Sequence, residues 1–175
     1  MGGRRRRCAV PRRRPGEAVP ERLSGVSDYF VDVPLRWSDM DAYGHVNNVQ
    51  FLRLLEDARV VAFSDWFGQD RSLVDEGVLV ARHEIEYLAP LTFRQAPVRI
   101  GMWTMRITPA SFDVGYEVRE PAGSDRTPDT VYARAETTLV LYDFETARPR
   151  RMAPHVKDNL LSFGGGEVPF RWRRR

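Results

Sequence analysis

The segment from residue 48 to about residue 67 constrains the fold more than any other part of the chain. Its apolar residues recur at intervals of three and four, which is the spacing of one face of an α-helix. They are Phe51, Leu52, Leu54, Leu55, Ala58, Val61, Ala62 and Trp66. A helix of this length spans roughly 30 Å, and its apolar face is wider than a helix on the surface requires. We therefore expect a sheet to wrap around it.

Both ends of this helix carry sequence signals. Asn47 is a residue type that caps helix N-termini, and Gln50, three residues later, would complete a capping-box-like pair. Gly68 is typical of the position that ends a helix. These signals predict a helix that begins at Asn48 and ends just before Gly68.

Most of the remaining body alternates between apolar and polar residues with a period of two, which is typical of β-strands. Residues 111–120 are the clearest case, because an apolar residue falls on every second position. Further strands are predicted at 29–37, 78–88, 98–107 and 130–144, and a short helix at 154–163. This order predicts an α+β fold with a mainly antiparallel sheet curled around the long helix. A second copy of the chain would close the surface left open.

Charge is distributed unevenly along the chain. The formal net charge is +3, but residues 1–27 carry +6 and residues 171–175 carry +4, so residues 28–170 carry −7. Arginine-rich segments broken by proline and glycine bury too little apolar surface to offset the entropy of ordering. We therefore expect a disordered basic tail over 1–27, one folded domain over 28–165 and a basic C-terminal tail over 166–175. Nucleic-acid binding is expected only through these tails.

Composition excludes several other classes of protein. A chain of 175 residues that is 42% hydrophobic suits one core rather than two domains. Cys8 is the only cysteine, so an internal disulfide is excluded and a cytoplasmic location is expected. Pro11 and Pro15, with arginines between them, occupy the place of a signal peptide's apolar stretch. No run of about 18 apolar residues occurs, so we expect no membrane span.

Polar residues are concentrated directly before the helix, in the stretch WSDMDAYGHVNNVQF. One interpretation is a calcium loop, because Asp39, Asp41 and Gly44 match three of its positions. Tyr43 replaces a ligand of that loop, however, and Gln50 stands where a carboxylate is required. A zinc site would require two or three His or Cys, and the stretch contains one histidine. We therefore expect no metal.

A second interpretation is a simple connection between strand and helix. Asp and Asn favour turns and caps, and Gly44 can adopt a positive φ. This interpretation accounts for Gly44, Asn47 and Asn48. It gives no reason for Asp41 or His45.

A third interpretation is acyl transfer at the start of the helix. The first backbone N–H groups of a helix are unpaired and carry partial positive charge, so they can stabilise a carbonyl oxygen that becomes an oxyanion. Asp41 lies seven residues before Asn48. Its carboxylate could stand beside the same carbonyl, as a nucleophile or as a general base for water.

The sequence RWSDMDAYGHVNNVQFLRLLEDAR, followed by EIEYLAPLTF, resembles the hotdog-fold acyl-CoA thioesterases of the 4-hydroxybenzoyl-CoA thioesterase type. The resemblance covers about residues 29–145. It implies the hotdog fold, a five-stranded antiparallel sheet wrapped around one long central helix, to which periodicity adds the short C-terminal helix. It also implies a homodimer with active sites at the subunit interface, and pairing of dimers into tetramers stays open.

The activity implied by the resemblance is hydrolysis of an acyl-CoA thioester to the free carboxylic acid and CoA, without a metal or another cofactor. The family's catalytic carboxylate falls on Asp41, and its carbonyl-polarising N–H falls on Asn48. Four further positions of the motif are implied to bind substrate: Tyr43, Gly44, His45 and Asn47.

Other charged residues are not expected to be catalytic. Asp39 is expected to hold the loop. Some members of the family carry the base on the central helix, but Glu56 and Asp57 are expected on its solvated face. The phosphates of CoA should meet arginine side chains, and the sequence leaves several candidates: Arg82, Arg94, Arg119 and residues 148–151.

Two alternatives to hydrolysis stay open. A hotdog protein could bind acyl-CoA without catalysis. An enoyl-CoA hydratase of the same fold pairs an Asp with a His, at a longer spacing and with Asn-Pro between them. Asp41 and His45 are four apart and lack that dipeptide, so the hydratase pattern is not matched.

Overall fold

The computed structural model describes residues 29–68, 77–121 and 130–172. The tail predicted over residues 1–27 lies outside these ranges. In chain order the elements are β1 (Phe30–Val33), α1 (Asn48–Phe67), β2 (Val78–Tyr87), β3 (Val98–Ile107), β4 (Ser111–Arg119), β5 (Val131–Asp143), β6 (Arg148–Pro149) and α2 (Pro154–Ser162). Every predicted strand and helix is present, and β1 is shorter than predicted because it ends before Pro34, which has no N–H to donate.

Five strands form an antiparallel sheet in the order β1-β3-β4-β5-β2, and the two-residue β6 pairs with the end of β5. The helix α1 and one face of this sheet share a single hydrophobic core. The predicted hotdog fold, with one long helix, a five-stranded antiparallel sheet and a short C-terminal helix, is confirmed.

The apolar face of α1 is buried against the sheet. Nine of the 20 residues of α1 are buried, and the innermost are Leu54, Leu55, Ala58 and Ala62. Burying a leucine side chain stabilises the fold by about 1.5–3 kcal/mol. The alanines add little bulk, so they let the helix approach the strands closely.

The predicted start of α1 is confirmed, but the capping box is wrong. Asn47 is the N-cap, and its Oδ1 accepts a hydrogen bond from the Val49 amide at 3.0 Å. The Asn47 amide, which a capping box would pair with Gln50, donates instead to the Asp39 carbonyl at 2.8 Å. The Gln50 side chain accepts from Arg53 Nε at 3.2 Å.

The outer face of the sheet, opposite α1, is partly covered by residues 164–172, which we call the C-terminal segment. The Gly165 amide donates to the Thr104 carbonyl at 2.8 Å, and Arg134 Nη1 donates to the Pro169 carbonyl at 2.9 Å. At the far end, the carboxylate of Glu86 accepts hydrogen bonds from two successive amides, at residues 171 and 172. The segment therefore crosses the sheet from β3 to β2.

Trp103 anchors this segment on the outer face. Its indole N–H donates to the Gly166 carbonyl at 2.7 Å. Its ring lies directly over Gly115 on β4 and beneath Gly165, so that a Cβ added at Gly115 would lie 2.5 Å from Trp103 Cε2. Both glycines are required by this close approach.

We predict that Gly115→Ala lowers the free energy of unfolding by about 1–3 kcal/mol, because the added methyl group overpacks against the indole. Chemical denaturation measures the change. Combining Gly115→Ala with Trp103→Leu should cost less than the sum of the two single variants, since the smaller side chain leaves room for the methyl. Strict additivity would contradict this account of the contact.

Candidate active site

The loop between β1 and α1 is held from within by Asp39. This side chain is only 2% exposed. Its carboxylate accepts a hydrogen bond from the Arg36 amide at 2.8 Å and forms an ion pair with Arg53 of α1 at 2.6 Å. Its backbone carbonyl accepts from the Asn47 amide. Asp39 thus ties both ends of the loop to the helix, which is the role expected for it.

Asp41 lies in the tight turn that follows. Its Oδ1 accepts hydrogen bonds from the amides of Tyr43 at 2.8 Å and His45 at 3.1 Å. The chain reverses through Gly44, whose φ is +79°, a value that favours glycine. Oδ2 of Asp41 has no hydrogen-bond partner within residues 29–68, 77–121 and 130–172. One oxygen therefore fixes the carboxylate and the other is left for a ligand.

A cavity of about 310 Å³ lies between this loop, the start of α1 and the segment that follows β2. Its lining residues are Asp41, His45, Val46, Asn48, Phe51, Tyr87, Leu88, Ala89, Pro90 and Leu91. The structure therefore brings together three of the predicted site residues, Asp41, His45 and Asn48. The other three do not line the cavity: Tyr43, which is 86% exposed, Gly44 in the turn and Asn47 as the N-cap.

The start of α1 leaves one amide for a ligand. The Val49 amide is taken by the Asn47 side chain, and the Gln50 amide donates to the Asn47 carbonyl at 2.8 Å. The Asn48 amide has no acceptor in the described part of the chain. Because Asn48 also lines the cavity, its N–H is the helix-start donor available to a bound carbonyl oxygen.

Tyr87, at the end of β2, is a site residue that sequence reasoning missed. Its hydroxyl donates to the Asn48 carbonyl at 3.0 Å, and its ring packs edge-on against Phe51 with centroids 5.3 Å apart. Burial raises the pKa of the Tyr87 phenol, so it stays protonated and keeps this hydrogen bond. The only sequence signal was its position within EIEYLAPLTF, which carries part of the family resemblance.

The remaining charged candidates lie outside the cavity. Glu56 is exposed on α1, and Asp57 pairs with Arg53 at 2.5 Å. Three of the arginines considered for CoA pair with acidic side chains: Arg82, Arg94 and Arg119. Residues 148–151 follow the far end of β5, about 30 Å along the strand from the residue that pairs with Tyr87.

A larger cavity, of about 610 Å³, lies on the outer side of the sheet beside the C-terminal segment. Two of its acidic side chains, Asp113 and Glu136, are already paired. Asp113 accepts from Arg106 at 3.1 Å and from Thr138 at 2.7 Å, and Glu136 pairs with Arg82 at 2.9 Å. Asp113 and Glu136 are therefore taken, and none of the residues that line this cavity begins a helix as Asn48 does in the first one.

Within residues 29–68, 77–121 and 130–172, no group of three His, Cys, Asp or Glu side chains is placed to hold a metal ion. No helix in those same ranges has the length and apolar character needed to cross a membrane.

Residues 35–160 match the thioesterase-like superfamily. This match covers more than half of the chain, and the chain therefore belongs to that superfamily. The predicted enzyme class, a thioester hydrolase, is confirmed. No curated protein is significantly similar to the chain.

Several solved structures, two of them described as thioesterases, share the fold. A thioesterase from Thermus thermophilus, complexed with coenzyme A and Zn, is 25% identical with a TM-score of 0.62, over 77% of this chain and 92% of that one. A 1,4-dihydroxy-2-naphthoyl-CoA thioesterase from Synechocystis is 17% identical with a TM-score of 0.62, over 78% and 96%. The PA5185 protein from Pseudomonas aeruginosa is 23% identical with a TM-score of 0.67, over 79% and 93%.

We predict that Asp39→Asn lowers the free energy of unfolding by about 2 kcal/mol, because it removes the buried negative charge that pairs with Arg53. Asp57→Asn is the matched control, since it removes the more exposed partner of the same arginine. It should cost less than about 1 kcal/mol. Urea denaturation at neutral pH measures both, and equal losses would contradict the role given to Asp39.

Proposed function

We propose that this protein hydrolyses an acyl-CoA thioester to a free carboxylic acid and CoA in the cavity at the start of α1. The observation that carries the proposal is the pairing of a half-free carboxylate, Asp41, with an amide donor, Asn48, on the wall of one cavity. Membership of the thioesterase-like superfamily supports the reaction class. A related thioesterase that binds coenzyme A supports the substrate class.

In this mechanism, the Asn48 N–H donates to the thioester carbonyl oxygen and stabilises the negative charge that develops there. Oδ2 of Asp41 then acts in one of two ways. It attacks the carbonyl carbon, expelling CoA thiolate and forming an anhydride that water hydrolyses, or it takes a proton from a water that attacks directly. Both routes give the same acid and the same thiol.

Tyr87 and Asp39 are positioning residues for this reaction. Tyr87 ties the end of β2 to the first carbonyl of α1, and Asp39 ties the loop to Arg53 one turn further along the helix. Each contact limits movement of the helix start relative to the Asp41 carboxylate. Since misplacement of reacting groups by about 1 Å can cost roughly 100-fold in rate, such contacts bear directly on catalysis.

We predict that Asp41→Asn lowers kcat for acyl-CoA hydrolysis by about 10²–10⁴-fold, because the amide can neither attack nor accept a proton. The amide oxygen can still accept from the Tyr43 and His45 amides, so the variant should fold. Thiol release with a panel of acyl chain lengths measures the rate, and circular dichroism checks the fold.

Glu56→Gln and Asp57→Asn are controls for this experiment, because each removes an acid on α1 that does not line the cavity. Both should retain wild-type hydrolysis. A folded Asp41→Asn variant with the wild-type rate would overturn the assignment of Asp41. Loss of enoyl absorbance from crotonyl-CoA without thiol release would instead indicate a hydratase, and binding without either reaction would indicate a non-catalytic protein.

We further propose that the protein is a homodimer in which β2 pairs with β2 of a second copy. β2 is a ten-residue edge strand with no partner on its outer side in the described part of the chain. Its Leu79 and Val80 are 40% and 41% exposed. A long apolar edge of this kind favours pairing with another strand. Because Tyr87 is the last residue of β2 and also lines the cavity, the interface would border the active site.

We predict that Val80→Lys shifts the protein from dimer to monomer, since a charged side chain would be placed in the paired edge. Leu161→Lys on α2 is the matched control, because it adds the same charge at an exposed apolar position away from β2. Sedimentation velocity at micromolar concentration measures both. A dimeric Val80→Lys variant would contradict the β2 interface and leave the catalytic proposal untouched.

A further inference from the structure

Arg59, in the middle of α1, is a buried cation with no use in the mechanism above. It is only 8% exposed. Its single hydrogen bond within the described ranges is from Nη1 to the hydroxyl oxygen of Tyr116, at 3.2 Å, and none of the acidic side chains described forms an ion pair with it. Burying a charge is costly unless an opposite charge compensates it. The arrangement therefore suits a negatively charged ligand.

Arg59 lies beside neutral hydrogen-bonding side chains, and the exposed acid Glu56 lies three residues before it on α1. His83 on β2 and Thr137 on β5 share a hydrogen bond of 2.8 Å between Nδ1 and Oγ1. Burial and the nearby positive charge of Arg59 lower the pKa of His83, against an opposing effect of Glu56. His83 is therefore uncharged at neutral pH. We call Arg59, His83, Tyr116 and Thr137 the polar cluster.

A single seam between α1 and β2 connects the polar cluster to the active-site cavity. Tyr87 donates to the Asn48 carbonyl at one end of the seam, and at the other the positive charge of Arg59 lowers the pKa of His83. On α1, Asn48 and Arg59 are eleven residues apart, which places them on one stripe of the helix about 16 Å apart along its axis. On β2, Tyr87 and His83 share one face about 13 Å apart.

The middle of the seam is apolar and only partly buried. Leu52 and Leu55 lie on the α1 stripe between its two polar ends, and Ile85 lies between Tyr87 and His83 on β2. Leu52 and Ile85 are only partly buried, whereas Leu55 is fully buried. The seam therefore has the chemistry of a narrow binding surface: a reaction centre, an aliphatic stretch and a cationic end.

We propose that the seam binds an acyl group that ends in a carboxylate, with the terminal carboxylate paired to Arg59 and its methylene chain along Leu52 and Ile85. The substrate class is then the CoA monothioesters of dicarboxylic acids of medium length. This inference rests on the proposed thioesterase function, because it gives the far end of the same substrate. The charge complementarity at Arg59 selects this class over acyl chains that end in a methyl group.

The test compares octanoyl-CoA with the CoA monothioester of suberic acid, which has the same chain length and a carboxylate in place of the terminal methyl. Wild-type kcat/KM should be higher for the suberyl thioester by about tenfold or more, which corresponds to the free energy of one charge-assisted hydrogen bond. Arg59→Met should abolish or reverse the preference, and Arg59→Lys should retain part of it. Arg106→Met, an exposed arginine on the outer face, should leave it unchanged.

A binding experiment tests this inference independently of the catalytic proposal. The Asp41→Asn variant is titrated with both thioesters by calorimetry, and the inference expects tighter binding of the suberyl thioester. Equal affinities, together with equal wild-type kcat/KM, would overturn the inference while thiol release upholds the thioesterase. No thiol release from any acyl-CoA would overturn the thioesterase, and preferential suberyl binding would still uphold the anion site at Arg59.

Discussion

The burial of α1 against the sheet is the constraint on which the rest of the structure depends. A helix with so wide an apolar face cannot be left on the surface, and the five antiparallel strands beside it cannot bury that face without curling. Once the helix is fixed, its first turn has a fixed position relative to the end of β2. The cavity at that junction is thus a product of core packing, although its chemistry is polar.

The loop before α1 shows how one residue type serves two purposes. Asp39 and Asp41 are two residues apart, yet the first is buried against Arg53 and the second opens onto a cavity. The difference comes from the turn at Gly44, which folds Asp41 back onto the amides that follow it. The Asn47 side chain accepts from the Val49 amide and not from the Asn48 amide, which leaves the Asn48 N–H as a donor for a ligand in the cavity.

The secondary structure of this protein is predicted well from its sequence. The helix and strands follow from strong periods of 3.6 and 2, and their bounds agree with the structure to within a few residues except in β1. Asp41, His45 and Asn48 lie within eight positions of one another, so their convergence needs only a turn and a helix start.

Contacts between distant segments are the part that sequence does not predict. Tyr87 reaches Asn48 from 39 residues away, and this depends on how β2 is aligned with α1. Arg59 occupies a gap in the apolar pattern and looks like an ordinary solvated residue, whereas the sheet encloses it. The capping box predicted with Gln50 is absent because the Asn47 amide donates to the Asp39 carbonyl instead.

The C-terminal segment has a consequence for larger assemblies. Two sheets that stack face to face lie about 10 Å apart and interlock their side chains across that gap. In this protein the C-terminal segment lies on the outer face of the sheet from Trp103 to Glu86. The Glu86 carboxylate already accepts hydrogen bonds from two amides of the segment. If the proposed dimers join into tetramers, the C-terminal segment would lie between any two sheets that stack back to back.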